Sequence, residues 1–276
     1  MRTARALWGA THPGPSLVVT ALALALGLAA GLEPWRLLVL VLAVFAGQVS
    51  VGLSNDAIDL FRDATVGRSD KPLVRGDTRL RTAWVAAFVS LAVAVTLSAV
   101  LGGGMLLAHV VALVSAWSYN AGLKATPASL VPFLVSFGIF PSLATLSASD
   151  PQPAAVWATL AGAVLGAAVH LTNVLPDLDD DRRTGVRGLP HRIGAAASVL
   201  LAVAATVVAA VAVLFGSLAD GAPVAAMIPF ALVVTLLAAA VVIRMRRRGA
   251  DRAGFRLVMT AALVLAIQLV AASALS

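Results

Sequence analysis

The sequence has no cysteine, a single tyrosine and few charges, with Asp, Glu, Lys and Arg together supplying 12% of its 276 residues. Without cysteine, a small secreted fold held by disulfides is excluded, as is any thiolate metal site. A soluble domain carries about a quarter charged residues, so the shortfall excludes an ordinary water-soluble domain. Aromatic residues make up 5%, too few to mark a stacked platform for a phenolic ring. The apolar segments do not alternate with period two, which excludes a transmembrane β-barrel. What fills the chain is 60% apolar residues, gathered into Ala/Val/Leu runs of about 20 residues, the length that crosses a bilayer's hydrocarbon core. The expected fold is all-α, a polytopic membrane bundle of nine transmembrane helices forming one domain over residues 1–276.

The candidate spans are 16–32, 36–58, 82–101, 104–121, 128–148, 154–176, 192–217, 222–243 and 255–275. Of the 20 Lys and Arg residues, only Arg36 falls on one side of this topology; the others share the side of the N-terminus and of the loops after spans two, four, six and eight. By the positive-inside rule the N-terminus and these loops are cytoplasmic, the C-terminus is outside, and the chain sits in the cell membrane. The net charge of +7 is thereby a topology signal and implies no nucleic-acid partner. The opening MRTARALWGATHPGPS has basic residues before an apolar run, but no small-residue cleavage site leads into a polar domain, so the first span is expected to stay. Gly102 to Gly104 are expected to form a tight turn, and Pro132, Pro141 and Pro229 to kink or interrupt their helices.

Most of the thirteen acidic residues lie in two places, and the two places match. Span two ends in NDAIDLFRD, from Asn55 to Asp63, and span six in NVLPDLDDD, from Asn173 to Asp181. Both read N-x-x-x-D-x-x-x-D, with Asn55, Asp59 and Asp63 answered by Asn173, Asp177 and Asp181 at a constant offset of 118 residues. On a helix this spacing keeps three side chains within an arc of about 80°, rising about 12 Å from the membrane edge. Two facing ladders bring four carboxylates together, and such a group repels itself unless cations intervene. Hard oxygen ligands without His or Cys point to Mg²⁺, which characteristically joins carboxylates to a substrate phosphate; the implied ligand is a diphosphate. Arg62, Arg68, Lys71, Arg75, Lys124, Arg182, Arg183, Arg187 and Arg192 surround the clusters, and a subset can hold phosphate oxygens. Asp56 and Asp180 are pocket candidates inside the clusters, with Asp180 near enough to the ladder's face to substitute for Asp177 or Asp181. Gln48 and His170 lie on the same faces, deeper in the bilayer, as pocket residues or as interhelical hydrogen bonds. The segment YNAGLK places the one tyrosine, Tyr119, near Lys124 in the second cytoplasmic connection.

These residues carry a resemblance. NDAIDLFRD is similar to the NDxxDxxxD motif of the UbiA superfamily of intramembrane prenyltransferases, and RSDKPLVRG, from Arg68 to Gly76, resembles the basic segment that follows it. NVLPDLDDDRRTGVRGLPHRIG, from Asn173 to Gly194, resembles the second motif with the D-x-x-x-G-x-R-x-L-x-x-R-x-G tail of the menaquinone branch, and YNAGLKATP resembles the Tyr/Lys segment between the two. The resemblance implies a chamber of nine helices open to lipid and capped by the loops after spans two and six. In it, two Mg²⁺ are held by Asn55, Asp59, Asp63, Asn173, Asp177 and Asp181, and an isoprenyl diphosphate donor by Arg68, Lys71, Tyr119, Lys124 and Arg182. Asp59, Asp63, Asp177, Asp181 and Lys124 form the implied catalytic set. The implied reaction transfers the isoprenyl group to an aromatic quinone precursor or another lipophilic acceptor and releases pyrophosphate. The Leu175-Pro176 step departs from the N-x-I-R-D form of the menaquinone branch and leaves the acceptor open. A terpene cyclase acting without an acceptor is an alternative. A secondary transporter is a remote one, since its carboxylates belong near the bilayer midplane.

Overall fold

The structure is a computed structural model. It describes residues 2–219 and, beyond them, positions 221, 228, 232, 233, 235, 236, 260, 264, 267, 268 and 270; the side chains of Arg2, Asp177, Asp179, Asp180 and Ser217 lie outside the described residues. Regular structure among the described residues is helical: α1 (Arg2–Ala10), α2 (Pro13–Ala29), α3 (Pro34–Thr65), α4 (Leu80–Leu101), α5 (Gly103–Ala121), α6 (Val131–Thr145), α7 (Val156–Asn173), α8 (Leu178–Arg183) and α9 (Leu189–Ala219), with single 3₁₀ turns at Leu123–Ala125, Pro127–Leu130 and Leu175–Asp177. Among the described residues, six helical segments are long and apolar enough to cross a membrane, and α1 and α2, bent by 68° at their junction, supply a seventh as a pair. The first seven expected spans coincide with these helices; spans 222–243 and 255–275 are described only at the isolated positions given above, and Pro229 lies outside the described residues. The chain is a multi-pass membrane protein.

Packing follows the logic of lipid, in which helices gain little by hiding large apolar side chains and associate through small ones. Ala43, Ala46 and Gly47 of α3, Ala83, Ala87, Ala94 and Ser98 of α4, and Ala158, Ala161 and Gly162 of α7 are buried. Leu17, Leu28, Leu38, Phe88, Val89 and Leu107 face outward. α6 and α7 approach each other backbone to backbone: a Cβ on Gly162 would lie 2.3 Å from the Phe137 carbonyl oxygen and one on Gly166 2.5 Å from that of Phe133. The main pairings are α3 on α4, α6 on α7, α7 on α9, α5 on α6 and α2 on α3.

Prolines and glycines shape the ends. α4 stops at Gly102, whose φ of 129° is closed to most other residues, and α5 starts at the next residue. Pro132 opens α6 after a 3₁₀ turn, whereas Pro141 is carried inside α6 without ending it. α9 contains a break at Gly194 (φ 82°), so its first turn, residues 189–193, leaves the direction of the transmembrane body. α3 is the helix that matters most. Its 32 residues reach about 48 Å at 1.5 Å per residue, well beyond a hydrocarbon core of about 30 Å. The apolar run from Pro34 to Ser54 uses up that thickness, and the segment from Asn55 to Thr65 projects at the polar end of the bundle.

Candidate active site

The first acidic ladder stands on α3 as one continuous helical face. Asp56, Asp59 and Asp63 are all buried, and each is met by a cation. Lys124 Nζ donates to Asp59 Oδ1 at 2.5 Å, and Arg62 Nη2 donates to Asp59 Oδ2 at 2.8 Å and lies 3.6 Å from Asp63 Oδ1. Lys71 Nζ sits between two carboxylates, 2.5 Å from Asp56 Oδ1 and 3.2 Å from Asp63 Oδ2. Asn55 is oriented from α5: its side-chain amide donates to Asn120 Oδ1 at 3.4 Å, while Asn120 Nδ2 donates to the Val51 carbonyl at 3.0 Å and to Ser54 Oγ at 2.9 Å.

The two lysines arrive on different segments and differ electrostatically. Lys71 is presented by a turn at residues 68–75, closed by Lys71 N–H to the Arg68 carbonyl and Arg75 N–H to the Lys71 carbonyl, with Pro72 and Leu73 buried beneath it. Burial works against its charge, but Asp56 and then Asp63 outweigh that cost and hold the ammonium above its ordinary pKa. Lys124 lies on the 3₁₀ turn after α5. There burial prevails over the attraction of Asp59 and pushes the ammonium below its ordinary value.

The second cluster is built differently from the expectation. α7 ends at Asn173, which is exposed, a 3₁₀ turn covers residues 175–177, and a new helix starts at Leu178. Asn173, Asp177 and Asp181 therefore do not form a ladder along one helix. The cause is Pro176, which has no N–H to continue the α-helical bonding of α7 and disfavours α geometry at the residue before it, so the chain passes into a 3₁₀ turn. The side chains of Asp177 and Asp180 lie outside the described residues. Asp181 Oδ2 approaches His191 Nε2 of α9 to 3.3 Å.

The two clusters meet through what lies between them. Tyr119 is within electrostatic reach of both Asp59 and Asp181. Its ring packs edge-on against Phe133 at 5.1 Å and His170 at 5.7 Å between centroids. His170 is buried; its Nε2 is 3.0 Å from Ser129 Oγ, which also accepts the Leu189 N–H at 2.9 Å. Gly188 lies so close to the Lys124 segment that a Cβ would stand 2.5 Å from the Lys124 carbonyl oxygen. The tail of the second motif is thus in contact with the turn that carries Lys124, the partner of Asp59.

Other expected residues fall farther out. Arg68 forms a two-pronged pair with Asp70 of its own loop at 3.0 Å, and Arg75 pairs with Asp77 at 2.7 Å. Arg182 is exposed on α8, and Gln48 is half-buried on α3 two turns below Asn55. Among the described residues no group of three His, Cys, Asp or Glu side chains is close enough to hold a metal ion by itself. The oxygen donors still fit a hard cation, because Asp59 and Asp63 are buried and each already answers to positive charge. Sequence reasoning missed His12, Ser129 and His191, which the fold brings to the site from elsewhere in the chain.

A family model described as the UbiA prenyltransferase family matches residues 16–270. No curated protein matches the chain in sequence. Among solved structures, a digeranylgeranylglyceryl phosphate synthase aligns with a TM-score of 0.76 at 14% identity, covering 99% of both chains. A UbiA homologue from Archaeoglobus fulgidus bound to GPP and Mg²⁺ aligns at 0.73 and 14% identity over 97% of each chain. One from Aeropyrum pernix K1 aligns at 0.74 and 19% identity, over 92% of this chain and 96% of that one. At such identities the likeness speaks for the fold, and the family model, spanning most of the chain, speaks for descent: this protein belongs to the UbiA prenyltransferase family.

Proposed function

We propose that the protein transfers an isoprenyl group, inside the membrane, from an isoprenyl diphosphate to a lipophilic or aromatic acceptor and releases pyrophosphate. The observation that carries this reading is the set of three buried carboxylates on α3, faced by Lys71, Lys124 and Arg62 at the polar end of an apolar bundle. Such a set binds a ligand that brings both metal ions and negative charge. The Archaeoglobus homologue of the same fold holds GPP and Mg²⁺, and in another structure DMAPP and Mg²⁺.

In this reading Asn55, Asp59 and Asp63, with Asn173, Asp177 and Asp181, hold two Mg²⁺ ions. When bound, these ions neutralise charge on the diphosphate as the C1–O bond breaks. The chain's own groups do the rest. Lys124 moves from Asp59, and Lys71 from Asp63 while still held by Asp56, to the diphosphate, where they stabilise the charge that collects on the leaving group, an interaction stronger in the transition state than before it. Arg68 and Arg182 line the entrance as further phosphate partners. Tyr119, Phe133 and His170 form the wall beneath the diphosphate, where they keep water from the allylic carbon. The isoprenyl tail extends between the helices, the acceptor's nucleophilic atom attacks C1, and its proton leaves to solvent. The site faces the cytoplasm by the distribution of positive charge.

Purified protein in detergent should release pyrophosphate from geranyl, farnesyl or geranylgeranyl diphosphate in the presence of Mg²⁺ and a membrane lipid extract. Release that depends on the extract, with the labelled isoprenyl group recovered on a new lipid, supports transfer. Release without extract, yielding a cyclic hydrocarbon or alcohol, assigns a cyclase instead. Absence of release from these and longer polyprenyl donors refutes the reading.

A further inference from the structure

Asp56 is the most deeply buried of the α3 carboxylates, 2% exposed, and unlike Asp59 and Asp63 it is tied to the N-terminal arm as well as to a lysine. One oxygen, Oδ1, accepts from Lys71 Nζ at 2.5 Å and from His12 Nε2 at 2.8 Å. On α3, Asp56 is seven residues before Asp63 and so within about 20° of its face, which is why one ammonium reaches both. His12 comes from the elbow between α1 and α2 and is held in the left-handed region at φ 54° and ψ 67°, a conformation that costs a residue other than glycine some strain. A geometry kept against that cost needs fastening, and the fastening is visible. Ser16 Oγ donates to the Thr11 carbonyl at 2.8 Å. Thr11 itself lies on α3 where Gly52 leaves no side chain; a Cβ there would be 2.5 Å from the Thr11 carbonyl oxygen.

The same arm touches the lysine loop from the other side. A Cβ on Gly9 would lie 3.0 Å from Pro72 Cγ, the residue after Lys71. Ala10 and Leu73 share a small core with Leu53, Ala57, Ala83 and Ala87. The arm thus grips α3 at Gly52 and Asp56, and the loop at Pro72 and Leu73.

We propose that the N-terminal arm, residues 2–12, is a clasp that positions Lys71 for the diphosphate, with Asp56 as its anchor and not as a metal ligand. This rests on the function proposed above. The division of labour follows from the geometry. When Asp63 turns to a metal ion, Lys71 loses one of its two carboxylates, and Asp56 is the tether that remains. Asp56 stays in place because His12 satisfies the same oxygen from the arm. Asp56 and His12 are positioning residues, acting on the donor through Lys71.

The chain has no cysteine, so Gly9→Cys with Pro72→Cys introduces one pair of thiols whose cross-linking by a short bis-maleimide reports the docked arm without any need for turnover. In this background His12→Ala should lower the cross-linked fraction several-fold. In the otherwise native chain it should raise the donor KM about tenfold, the worth of a hydrogen bond to a charged group, with kcat and the Mg²⁺ midpoint unchanged. His12→Gln, whose amide can still donate to Asp56, should restore both readouts. Asp56→Asn should raise the donor KM as well, and combining it with Lys71→Ala should add little to Lys71→Ala alone. Cross-linking undiminished by His12→Ala, a donor KM that does not move, or an Mg²⁺ midpoint shifted by Asp56→Asn each overturns the proposal. If Asp56→Asn does not fold, His12→Ala, at a side chain 42% exposed, carries the decision. A native enzyme that releases no pyrophosphate from any donor refutes the proposed function, and the cross-linking then decides the clasp by itself.

Discussion

Replacing Asp59 by Asn changes one charge and almost no volume at the point where the two halves of the site are joined. Asp59 is 4% exposed and accepts from Lys124 and Arg62 at 2.5 and 2.8 Å. An amide can accept from one of them, but its own N–H₂ must then face the other donor. Breaking a buried ion pair by removing one partner costs about 3–5 kcal/mol. The lower end applies here, because burial already disposes Lys124 to give up its proton. Catalysis should suffer separately: loss of one charge-stabilising group at a reaction centre costs about 100- to 1,000-fold in kcat, or about 3–4 kcal/mol. The assay is Mg²⁺-dependent pyrophosphate release, read beside thermal unfolding in the same detergent. Adding Lys124→Ala to Asp59→Asn should return part of the lost stability, since the unpaired ammonium is gone, and none of the lost activity. Turnover within threefold of the native enzyme, at an unchanged Mg²⁺ midpoint, would refute the assignment of Asp59 to the metal and diphosphate site.

Gly188→Ala should cut kcat/KM about 10- to 100-fold, as small displacements at a reacting centre do, because the new Cβ meets the Lys124 carbonyl at 2.5 Å; kinetics of the purified variant check this. Gly166→Ala should lower stability by about 1–3 kcal/mol by forcing α7 off the Phe133 carbonyl, whereas Gly103→Ala, with nothing within 4 Å, should leave thermal unfolding unchanged. The alkaline limb of kcat/KM, which reports the free enzyme, should fall below the ordinary lysine value: Lys124 must be charged to act on the leaving group, and its lowered pKa makes it lose the proton earlier as pH rises. Lys124→Arg should move that limb upward, and a limb that stays in place removes Lys124 from the titration. Chelation with EDTA should stop pyrophosphate release and Mg²⁺ should restore it; release that continues in EDTA contradicts the metal requirement.

The transmembrane helices were legible because their signal is local. A run of apolar residues as long as the bilayer is thick needs no partner to be recognised, and α3, α4 and α5 lie where the hydropathy puts them. The first ladder was legible for the same reason, since residues four apart on one helix share a face wherever that helix packs. The second was misread on shape: its spacing repeats that of the first, but Pro176 turns the chain out of α7 and the repeat of sequence is not a repeat of structure. Asp56 shows the other limit. Counted along the motif it is one more carboxylate beside Asn55, and its role emerges from His12, 44 residues away, and Lys71, 15 residues away. The contacts of Ser129 with His170 and of Asn120 with Asn55 are equally long-range, and a single sequence carries no periodicity that marks them. Arg68 and Lys71 look alike in the basic loop, yet the turn at 68–75 sends Lys71 inward and pairs Arg68 with Asp70.

The central claim is that the two acidic clusters form one metal and diphosphate site. Crystals grown with Mn²⁺ and a non-reactive isoprenyl thiolodiphosphate test it most directly, through the anomalous signal of the ion. The account predicts Mn²⁺ between Asp59 and Asp63 on one side and Asp181 with its neighbours on the other, with the thiolodiphosphate spanning them and Lys124 moved from Asp59 to a phosphate oxygen. Mn²⁺ bound elsewhere, or an ion at one cluster with the other turned away from the ligand, would contradict it.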